Sequence, residues 1–348
     1  MEKLLMKGNE AIAEAAMRAG CRHFFGYPIT PQTEISAYMA KNMPKAGGVF
    51  LQAESEVAAI NMVYGAAGAG ARAMTSSSSP GISLKSEGLS YIAGADLPCV
   101  IVNIVRAGPG LGGILPSQAD YFQATKGGGH GGYRLIVLAP STIQETVDIT
   151  IESFDLAEKY RVPVMIMGDG LLGQMMEPVT FPEITAKPLA KPWATTGTGG
   201  NREPNIINSL DTNPDKLEAK NDAREEIYNT IRKSEQRAEL VNVEDADVVL
   251  VAYGTSARVA KAAMEQARAE GIKVGLVRPI SLWPFPAAAI QSVAKTAKAF
   301  LTVEMSYGQM VEDVRLNSLG KPVHFYGRNG GNIMTPSEIL DEIKKAVK

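Results

Sequence analysis

The sequence is poor in the residues that hold metals and redox centres. Its 348 residues include two cysteines, Cys21 and Cys99, and three histidines that lie far apart along the chain. A four-cysteine iron–sulfur site and a Cys-X-X-Cys pair are therefore excluded, and a zinc site is not expected. Any redox chemistry in which this protein takes part must use electron carriers that are diffusible or that belong to another chain.

An excess of charge of one sign is also absent. Lys and Arg number 35 and Asp and Glu 37, which gives a formal net charge of −2. Binding to nucleic acid or to an anionic membrane surface calls for clustered basic residues, so neither partner is expected. No apolar run has the length of a membrane span, and residues 1–20 do not resemble a secretory signal. These features predict a cytoplasmic globular protein.

The first part of the chain has the rhythm of an α/β domain. Short apolar runs of strand type alternate with stretches of helical type, which predicts a doubly wound, largely parallel sheet over residues 1–187. A capping box, Ser141 to Gln144, predicts the start of one helix. The predicted strands are 23–26, 49–52, 71–75, 99–105, 135–139 and 162–167.

The second part divides into a linker and a smaller domain. Residues 188–245 are rich in Pro, Gly and Thr and contain a charged helical stretch at 221–237, which predicts a linker or extended segment. The α/β rhythm returns in 246–348, where a capping box, Thr335 to Glu338, predicts the last helix. The predicted strands of this domain are 248–252, 274–277, 300–304 and 323–326.

Four loops that follow predicted strands carry the chemistry-bearing residues, because open α/β sheets bind ligands beyond the carboxyl ends of their strands. The first contains Thr30 before Pro31, which is typical of a helix N-cap but also of an anion site. The second holds Glu54 and Glu56, which can complement a helix dipole as well as bind a ligand. The third is the hydroxyl-rich turn 75–81. The fourth is the glycine-rich stretch 106–132, which begins with Arg106, a natural partner for a carboxylate.

Two further motifs are weighed and set aside. Residues 65–70 have the spacing of a weak nucleotide fingerprint, but they end a helix instead of following a strand. Gly168-Asp169-Gly170 follows an apolar strand, as in thiamine diphosphate enzymes that hold Mg²⁺ and the diphosphate. Its continuation runs into Pro178 and Pro182 and lacks a suitable distal Asn, so a diphosphate site on this chain is rejected.

The order and spacing of these motifs resemble the α subunit of thiamine diphosphate-dependent 2-oxoacid:ferredoxin oxidoreductases. The resemblance covers nearly the whole chain except 188–245, and residues 116–133 look most like the branched-chain (3-methyl-2-oxobutanoate) members. The second domain looks like a transketolase C-terminal-type domain. The motifs that carry the resemblance are 27–31, 54–56, 75–81, 106–109, 253–255, 278–279, 283–286 and 304–310.

The resemblance implies a cofactor shared between two chains. The α subunit would supply the pyrimidine side of thiamine diphosphate, and a β subunit the Mg²⁺ and diphosphate side. Iron–sulfur clusters would lie on partner subunits, among them γ and ferredoxin-like δ subunits. The implied reaction converts a 2-oxoacid, CoA and oxidised ferredoxin into acyl-CoA, CO2 and reduced ferredoxin.

The resemblance also implies roles for particular residues. Glu56 matches the glutamate that hydrogen-bonds the pyrimidine N1′ and favours the imino tautomer. Thr30 matches a residue whose hydroxyl faces the substrate. Arg106 matches the arginine that binds the 2-oxoacid carboxylate. The remaining cofactor contacts implied are Tyr27, Pro28, Ile29 and Ser79.

Other interpretations stay open at this point. Within the family, 2-oxoglutarate is the main alternative substrate, and a second basic or polar pocket residue for its distal carboxylate would favour it. A non-catalytic scaffold subunit of the same fold is a second alternative, favoured if the complex bound no thiamine. A complete single-chain enzyme of the transketolase type would need the diphosphate motif rejected above.

Overall fold

Strands and helices alternate along most of the chain. The computed structural model describes residues 3–183 and 189–347. In chain order the elements are β1 (Leu4–Lys7), α1 (Gly8–Arg18), β2 (His23–Gly26), α2 (Thr33–Asn42), a 3-10 helix (Pro44–Ala46), β3 (Val49–Gln52), α3 (Glu56–Gly68), β4 (Ala73–Ser77), α4 (Pro80–Gly94), β5 (Val100–Val105), α5 (Tyr121–Lys126), β6 (Ile136–Leu138), α6 (Ile143–Tyr160), β7 (Val164–Asp169), α7 (Gly170–Gln174), β8 (Met176–Val179), α8 (Pro214–Ser234), β9 (Ala238–Val241), β10 (Val248–Val251), α9 (Gly254–Ala269), β11 (Val274–Pro279), β12 (Ser281–Trp283), α10 (Ala287–Ala294), β13 (Ala299–Glu304), α11 (Met310–Asn317), β14 (Val323–Gly327) and α12 (Pro336–Ala346).

The largest sheet has the order β12-β6-β7-β5-β4-β2-β3. Its neighbouring strands run parallel, except that β12 is antiparallel to β6. Every residue of β5 and β7 is buried, because helices cover both faces of a parallel sheet and leave no solvent-facing side. The continuous apolar runs of the sequence have this origin, and the α/β class predicted from them is confirmed.

A second sheet has the order β14-β13-β10-β11-β9. Its strands are parallel apart from β9, which is antiparallel to β11. Helices α9 and α12 pack on it around a separate apolar core that includes Leu250, Met264 and Ile339. A small third sheet joins β1 to β8 in antiparallel fashion. Neither of these two strands is among those predicted from the sequence.

The segment predicted as a linker contains regular structure that the sequence patterns do not indicate. The long helix α8 begins at Pro214 with Asn213 as its N-cap, so it starts before the predicted stretch 221–237. Strand β9 pairs with β11 and so belongs to the second sheet. Strand β12, from the second half of the chain, pairs with β6 in the first sheet. The predicted boundary at 187/188 lies outside the described residues.

Hydrogen bonds of Gln118 join the loop after β5 to the second sheet. The Gln118 amide nitrogen Nε2 donates to the Tyr253 carbonyl (2.8 Å), and its Oε1 accepts from Ser256 Oγ (2.6 Å) and from the Met305 amide (2.9 Å). The side chain is buried. Since a buried polar group must be paired, these bonds fix the loop that starts at Arg106 against the ends of β10 and β13.

Three predicted helix starts have different outcomes. The capping box at Thr335 is confirmed, with both reciprocal bonds to Glu338 present. The one at Ser141 is wrong by one residue, because the Thr142 hydroxyl accepts from the Glu145 amide while Ser141 donates to the Glu145 carboxylate. Thr30 is not an N-cap. Helix α2 begins at Thr33, so the loop after β2 continues through Thr30.

Candidate active site

The candidate site lies where four adjacent strands end. Strands β5, β4, β2 and β3 are neighbours in the first sheet and run in the same direction. The loops predicted to carry the chemistry therefore emerge at one edge of this sheet. They bring together Glu56, the 77–81 turn, the 27–32 loop and Arg106.

Glu56 and Glu54 face different ways at the junction of β3 and α3. Ser55 is the N-cap, and its hydroxyl accepts from the Ala58 amide at 3.1 Å. Glu56 is the first residue of α3 and its side chain is buried, with 5% exposed, whereas Glu54 is exposed. Only Glu56 therefore presents a carboxylate to the interior of the site.

Gly81 leaves room for the Glu56 carboxylate. A Cβ atom at this position would lie 2.7 Å from Glu56 Oε1 and 2.0 Å from Ser77 Oγ. The hydroxyls of Thr75, Ser77 and Ser78 are buried and have no hydrogen-bond partner among the described residues. Buried polar groups in folded proteins are normally paired, so hydroxyls left unpaired beside a carboxylate indicate a place for a polar ligand.

The loop after β2 is anchored from below by Gln32, a residue that the sequence analysis did not single out. The Gln32 side chain is fully buried. Its Oε1 accepts from Ser76 Oγ at 2.5 Å, and its Nε2 donates to the Tyr27 carbonyl at 3.5 Å. The loop itself is open to solvent, with Ile29 half-buried and exposed side chains at Tyr27, Pro28 and Thr30.

Arg106 is buried without an ion-pair partner. Its side chain is 8% exposed, and none of the described carboxylates lies within 4.0 Å of it. Its Nη1 donates to the Thr30 carbonyl and its Nη2 to the Leu111 carbonyl, each at 3.0 Å, while the buried Nε has no partner in the described residues. A buried guanidinium bound only to carbonyl groups still needs an anion, so it remains available to a carboxylate ligand.

Ser79 links the turn after β4 to the end of β5. Its hydroxyl accepts from the Arg106 amide (3.1 Å), and its own amide donates to Asn103 Oδ1 (3.1 Å). Its backbone φ is +22°, which side chains rarely adopt and which is typically found at functional sites. Asn103 also donates to Asp120 Oδ2 at 2.9 Å, and burial raises the pKa of the Asp120 carboxyl.

A cavity of about 840 Å³ opens beside Arg106 and Ser79. Most of its wall is apolar or uncharged, and its far side comes from the loop after β13, where Tyr307 is 87% exposed. Among the described residues that line it, Arg106 is the sole cation and Asp120 the sole acid. The cavity thus offers one carboxylate-binding group and an apolar surface beside it.

The Gly168-Asp169-Gly170 motif serves the fold. The Asp169 carboxylate is buried and accepts from the Leu171 and Leu172 amides at 2.9 and 3.1 Å, which caps α7. Burial raises the pKa of this carboxyl in spite of those bonds. The carboxylate is therefore engaged within the chain.

Neither a metal cluster nor a membrane span is found in the described ranges. No group of three or more His, Cys, Asp or Glu side chains is placed to hold a metal ion within 3–183 and 189–347. No helix in the same ranges has the length and apolar character needed to cross a bilayer. Both cysteines are buried and free, and burial raises the pKa of each thiol to about 12.

Two known domain families match most of the chain. Residues 14–246 match the thiamine diphosphate-binding domain of pyruvate flavodoxin/ferredoxin oxidoreductases, and residues 246–339 match core domain II of pyruvate:ferredoxin oxidoreductase. The chain belongs to this oxidoreductase family. The family resemblance read from the motifs is confirmed, as are the oxidoreductase class and the link to thiamine diphosphate.

Curated relatives match over nearly their full length. The chain is 51% identical to ketoisovalerate oxidoreductase subunit VorB of Methanothermobacter marburgensis, over 99% of this chain and 98% of the relative. It is 36% identical to 2-oxoglutarate synthase subunit KorA of Methanothermobacter thermautotrophicus, over 99% of each.

Solved structures show the same fold. A 2-oxoglutarate:ferredoxin oxidoreductase from Magnetococcus marinus, with 2-oxoglutarate, coenzyme A and succinyl-CoA bound, is 30% identical with a TM-score of 0.89. The comparison covers 99% of this chain and 65% of that one. A split-gene transketolase in an inactive tetramer has a TM-score of 0.62 at 16% identity, which shows the fold alone.

Proposed function

We propose that this chain is a subunit of a 2-oxoacid:ferredoxin oxidoreductase, and that this subunit binds the pyrimidine side of thiamine diphosphate and the substrate carboxylate. The proposed substrate is a branched-chain 2-oxoacid such as 3-methyl-2-oxobutanoate. The observation that carries the proposal is the buried Arg106, which has no ion-pair partner among the described residues and lines a largely apolar cavity. Glu56 lies at the same edge of the sheet. The 51% identity to a ketoisovalerate oxidoreductase subunit supports the substrate class.

The residues at the sheet edge fit the pyrimidine end of the cofactor. When bound, thiamine diphosphate supplies the nucleophilic carbon and takes up the electrons released by decarboxylation. Glu56 would hold a proton at the pyrimidine N1′, a role that needs a carboxyl shielded from water. The space over Gly81 and the unpaired hydroxyls of Ser77 and Ser78 give this ring polar surroundings. The exposed side chains of Tyr27 and Pro28, with Ile29, would form the outer wall of the pocket.

Arg106 would bind and orient the 2-oxoacid. Two of its nitrogens are held by carbonyl groups of Thr30 and Leu111, so the guanidinium has a fixed orientation before substrate arrives. Loss of CO2 removes the negative charge that Arg106 binds, so the contact favours the substrate until decarboxylation. Thr30 would face the substrate across this contact, and the Ser79 hydroxyl would support Arg106 by accepting a hydrogen bond from the Arg106 backbone amide.

The cavity favours a branched aliphatic side chain over a second carboxylate. A distal carboxylate, as in 2-oxoglutarate, would enter a space in which the described residues supply no cation besides Arg106 and one acid, Asp120. A buried charge without a partner costs about 3 kcal/mol or more. The absence of a second basic residue in the described wall therefore argues against the 2-oxoglutarate alternative.

The chain would act within a complex. Its relatives are named as subunits, and the described residues hold no metal cluster. We expect the β subunit to supply the Mg²⁺ and diphosphate side, the γ and ferredoxin-like δ subunits to complete the assembly and the iron–sulfur relay, and CoA and ferredoxin to be co-substrates. The buried Arg106, which has no ion-pair partner among the described residues, disfavours the scaffold alternative, because a purely structural subunit has no reason to leave such a charge uncompensated.

Turnover of the purified complex with a panel of 2-oxoacids tests the proposal. With CoA present and a viologen dye as electron acceptor, kcat/KM for 3-methyl-2-oxobutanoate should exceed that for 2-oxoglutarate at least about 100-fold, the equivalent of the unpaired-charge cost. Equal efficiency with both acids would refute the substrate assignment. Loss of thiamine diphosphate on gel filtration without loss of activity would refute the cofactor assignment.

A further inference from the structure

Lys85 is a buried cation that the proposed mechanism does not use. It lies on α4, and its side chain is fully buried. Its ammonium group donates one long hydrogen bond, 3.5 Å, to the backbone carbonyl of Glu56. No carboxylate in the described part of the chain lies within 4.0 Å of it, in contrast to Lys191, which forms an ion pair with Glu158.

A lysine in this state is unfavourable for the fold. Burial lowers the pKa of Lys85 to about 8, and the nearby charge of Glu56 opposes that shift only in part. An uncharged side chain of similar shape would avoid the desolvation cost. Packing alone therefore does not explain a cation at this position.

Lys85 lies beside the start of α3, where Glu56 begins the helix. Gly81 and Lys85 are four residues apart on α4, so they lie on the same helical face. That face packs against the start of α3, where the space over Gly81 holds the Glu56 carboxylate. Glu56 is the acid whose charge acts on Lys85. Two neighbouring groups on this side are uncharged: Ser77 lies against Gly81, and Ile60 of α3 lies against Gly88.

We infer that Lys85 is a positioning residue that sets the balance between the protonated and ionised forms of Glu56, the acid proposed to hold the proton at the cofactor N1′. The inference rests on the proposed function of Glu56. A positive charge behind this carboxylate favours its ionised form. Removal of the Lys85 charge should therefore favour the protonated form of Glu56. The part of the pH–rate profile that depends on Glu56 should then move to higher pH.

The test compares two uncharged variants of Lys85 in the assembled complex. Lys85→Met keeps the length and apolar stem of the side chain, and Lys85→Gln keeps a polar end. Lys45→Met removes an exposed lysine at the amino end of β3 and is the matched control. Two profiles are recorded against pH: kcat for 3-methyl-2-oxobutanoate, and the Kd of thiamine diphosphate measured by calorimetry on complex freed of cofactor.

We expect the same upward displacement of both profiles, about one pH unit, in both Lys85 variants, and none in Lys45→Met. At a pH on the affected limb this corresponds to a change of up to about tenfold in kcat, while the plateau value changes little. Profiles of both variants that superimpose on the wild type, with Glu56→Gln inactive, would overturn this inference alone. If Glu56→Gln also leaves turnover and cofactor affinity unchanged, the proposed role of Glu56 fails and the inference fails with it.

Discussion

Replacement of Lys85 by Met should stabilise the fold at neutral pH. The folded state lowers the pKa of Lys85 from 10.5 to about 8. At 1.36 kcal/mol for each pH unit, this difference corresponds to a penalty of about 3 kcal/mol for keeping the ammonium charged in the folded protein. The lost hydrogen bond to the Glu56 carbonyl is long at 3.5 Å and offsets little of that gain.

The dependence on pH gives the prediction its sign. Below about pH 8 Lys85 is charged in both the folded and unfolded states, and the penalty is fully present. As the pH rises from about 8 to 10.5, the folded state releases its proton before the unfolded state does, so the wild type becomes more stable relative to the variant. Above 10.5 both states are neutral and the penalty has vanished.

Urea denaturation of the purified chain at several pH values measures the effect. We expect Lys85→Met to raise the free energy of unfolding by about 3 kcal/mol at pH 7, with a smaller difference at each step toward pH 10.5. Lys191→Met is the matched contrast. It removes a partner of Glu158 and should destabilise the chain by about 1–3 kcal/mol. A Lys85→Met protein that is no more stable than wild type at pH 7, with a difference that does not change with pH, would refute the reasoning.

Three further predictions concern the catalytic edge of the sheet. Glu56→Gln should leave the complex assembled and thiamine-bound but lower turnover by about two to four orders of magnitude. Glu54→Gln, at an exposed position, should have little effect. The reverse result would show that the role assigned to Glu56 belongs to Glu54. Arg106→Lys should raise KM for the 2-oxoacid and leave thiamine affinity unchanged, because an ammonium lacks the planar fork of a guanidinium. Arg106→Ala should lower kcat/KM in steady-state kinetics by the equivalent of about 2–5 kcal/mol. An unchanged KM would show that the role of Arg106 is structural. Gly81→Ala should reduce turnover and thiamine affinity, because its Cβ would displace the Glu56 carboxylate. Gly65→Ala in α3, whose added Cβ would have no atom within 4 Å, should instead stabilise the chain by about 1 kcal/mol. Equal activity of the two variants would contradict the crowding argument.

The parts of the fold that the sequence predicts are those with a strong local pattern. Strands β2 and β3 match the predicted ranges in full, and β5 and β7 lie within about two residues of theirs. Buried parallel strands require continuous apolar runs, so their positions can be read locally. Strands β1, β8, β9 and β12 were missed. All four pair antiparallel at sheet edges with partners that are not adjacent in sequence: β1 with β8, β12 with β6, and β9 with β11. Such pairings are decided by tertiary contacts.

In the candidate site, too, residues with a local sequence signal can be predicted, and residues whose role depends on tertiary contacts cannot. The places of Arg106 and Glu56 in loops beyond apolar strands can be predicted locally, whereas the roles assigned to them come from the family resemblance and stay predictions. Asn103 has a local signal as well, since a polar residue inside a buried strand needs a partner, and Asp120 provides one. Lys85 has another such signal. It lies on the buried face of α4 defined by Gly81, Gly88 and Leu89, so helical periodicity already placed a cation inside. Gln32 gave no local signal, because its role depends on Ser76 of a neighbouring strand.

The distribution of unpaired polar groups argues that the edge of the first sheet is a binding site. Within the part of the chain that the structure describes, four of the buried side-chain atoms without a partner belong to Thr75, Ser77, Ser78 and Arg106, all in β4, β5 or the residues that follow them. Each unpaired buried group costs about 1–3 kcal/mol, and a fold gains nothing by collecting several of them at one place. The turn between β4 and α4 is held in an unfavourable backbone conformation at Ser79. Together with a buried cation at Lys85, these features all lower stability, and such a concentration of unfavourable features is expected at a functional site.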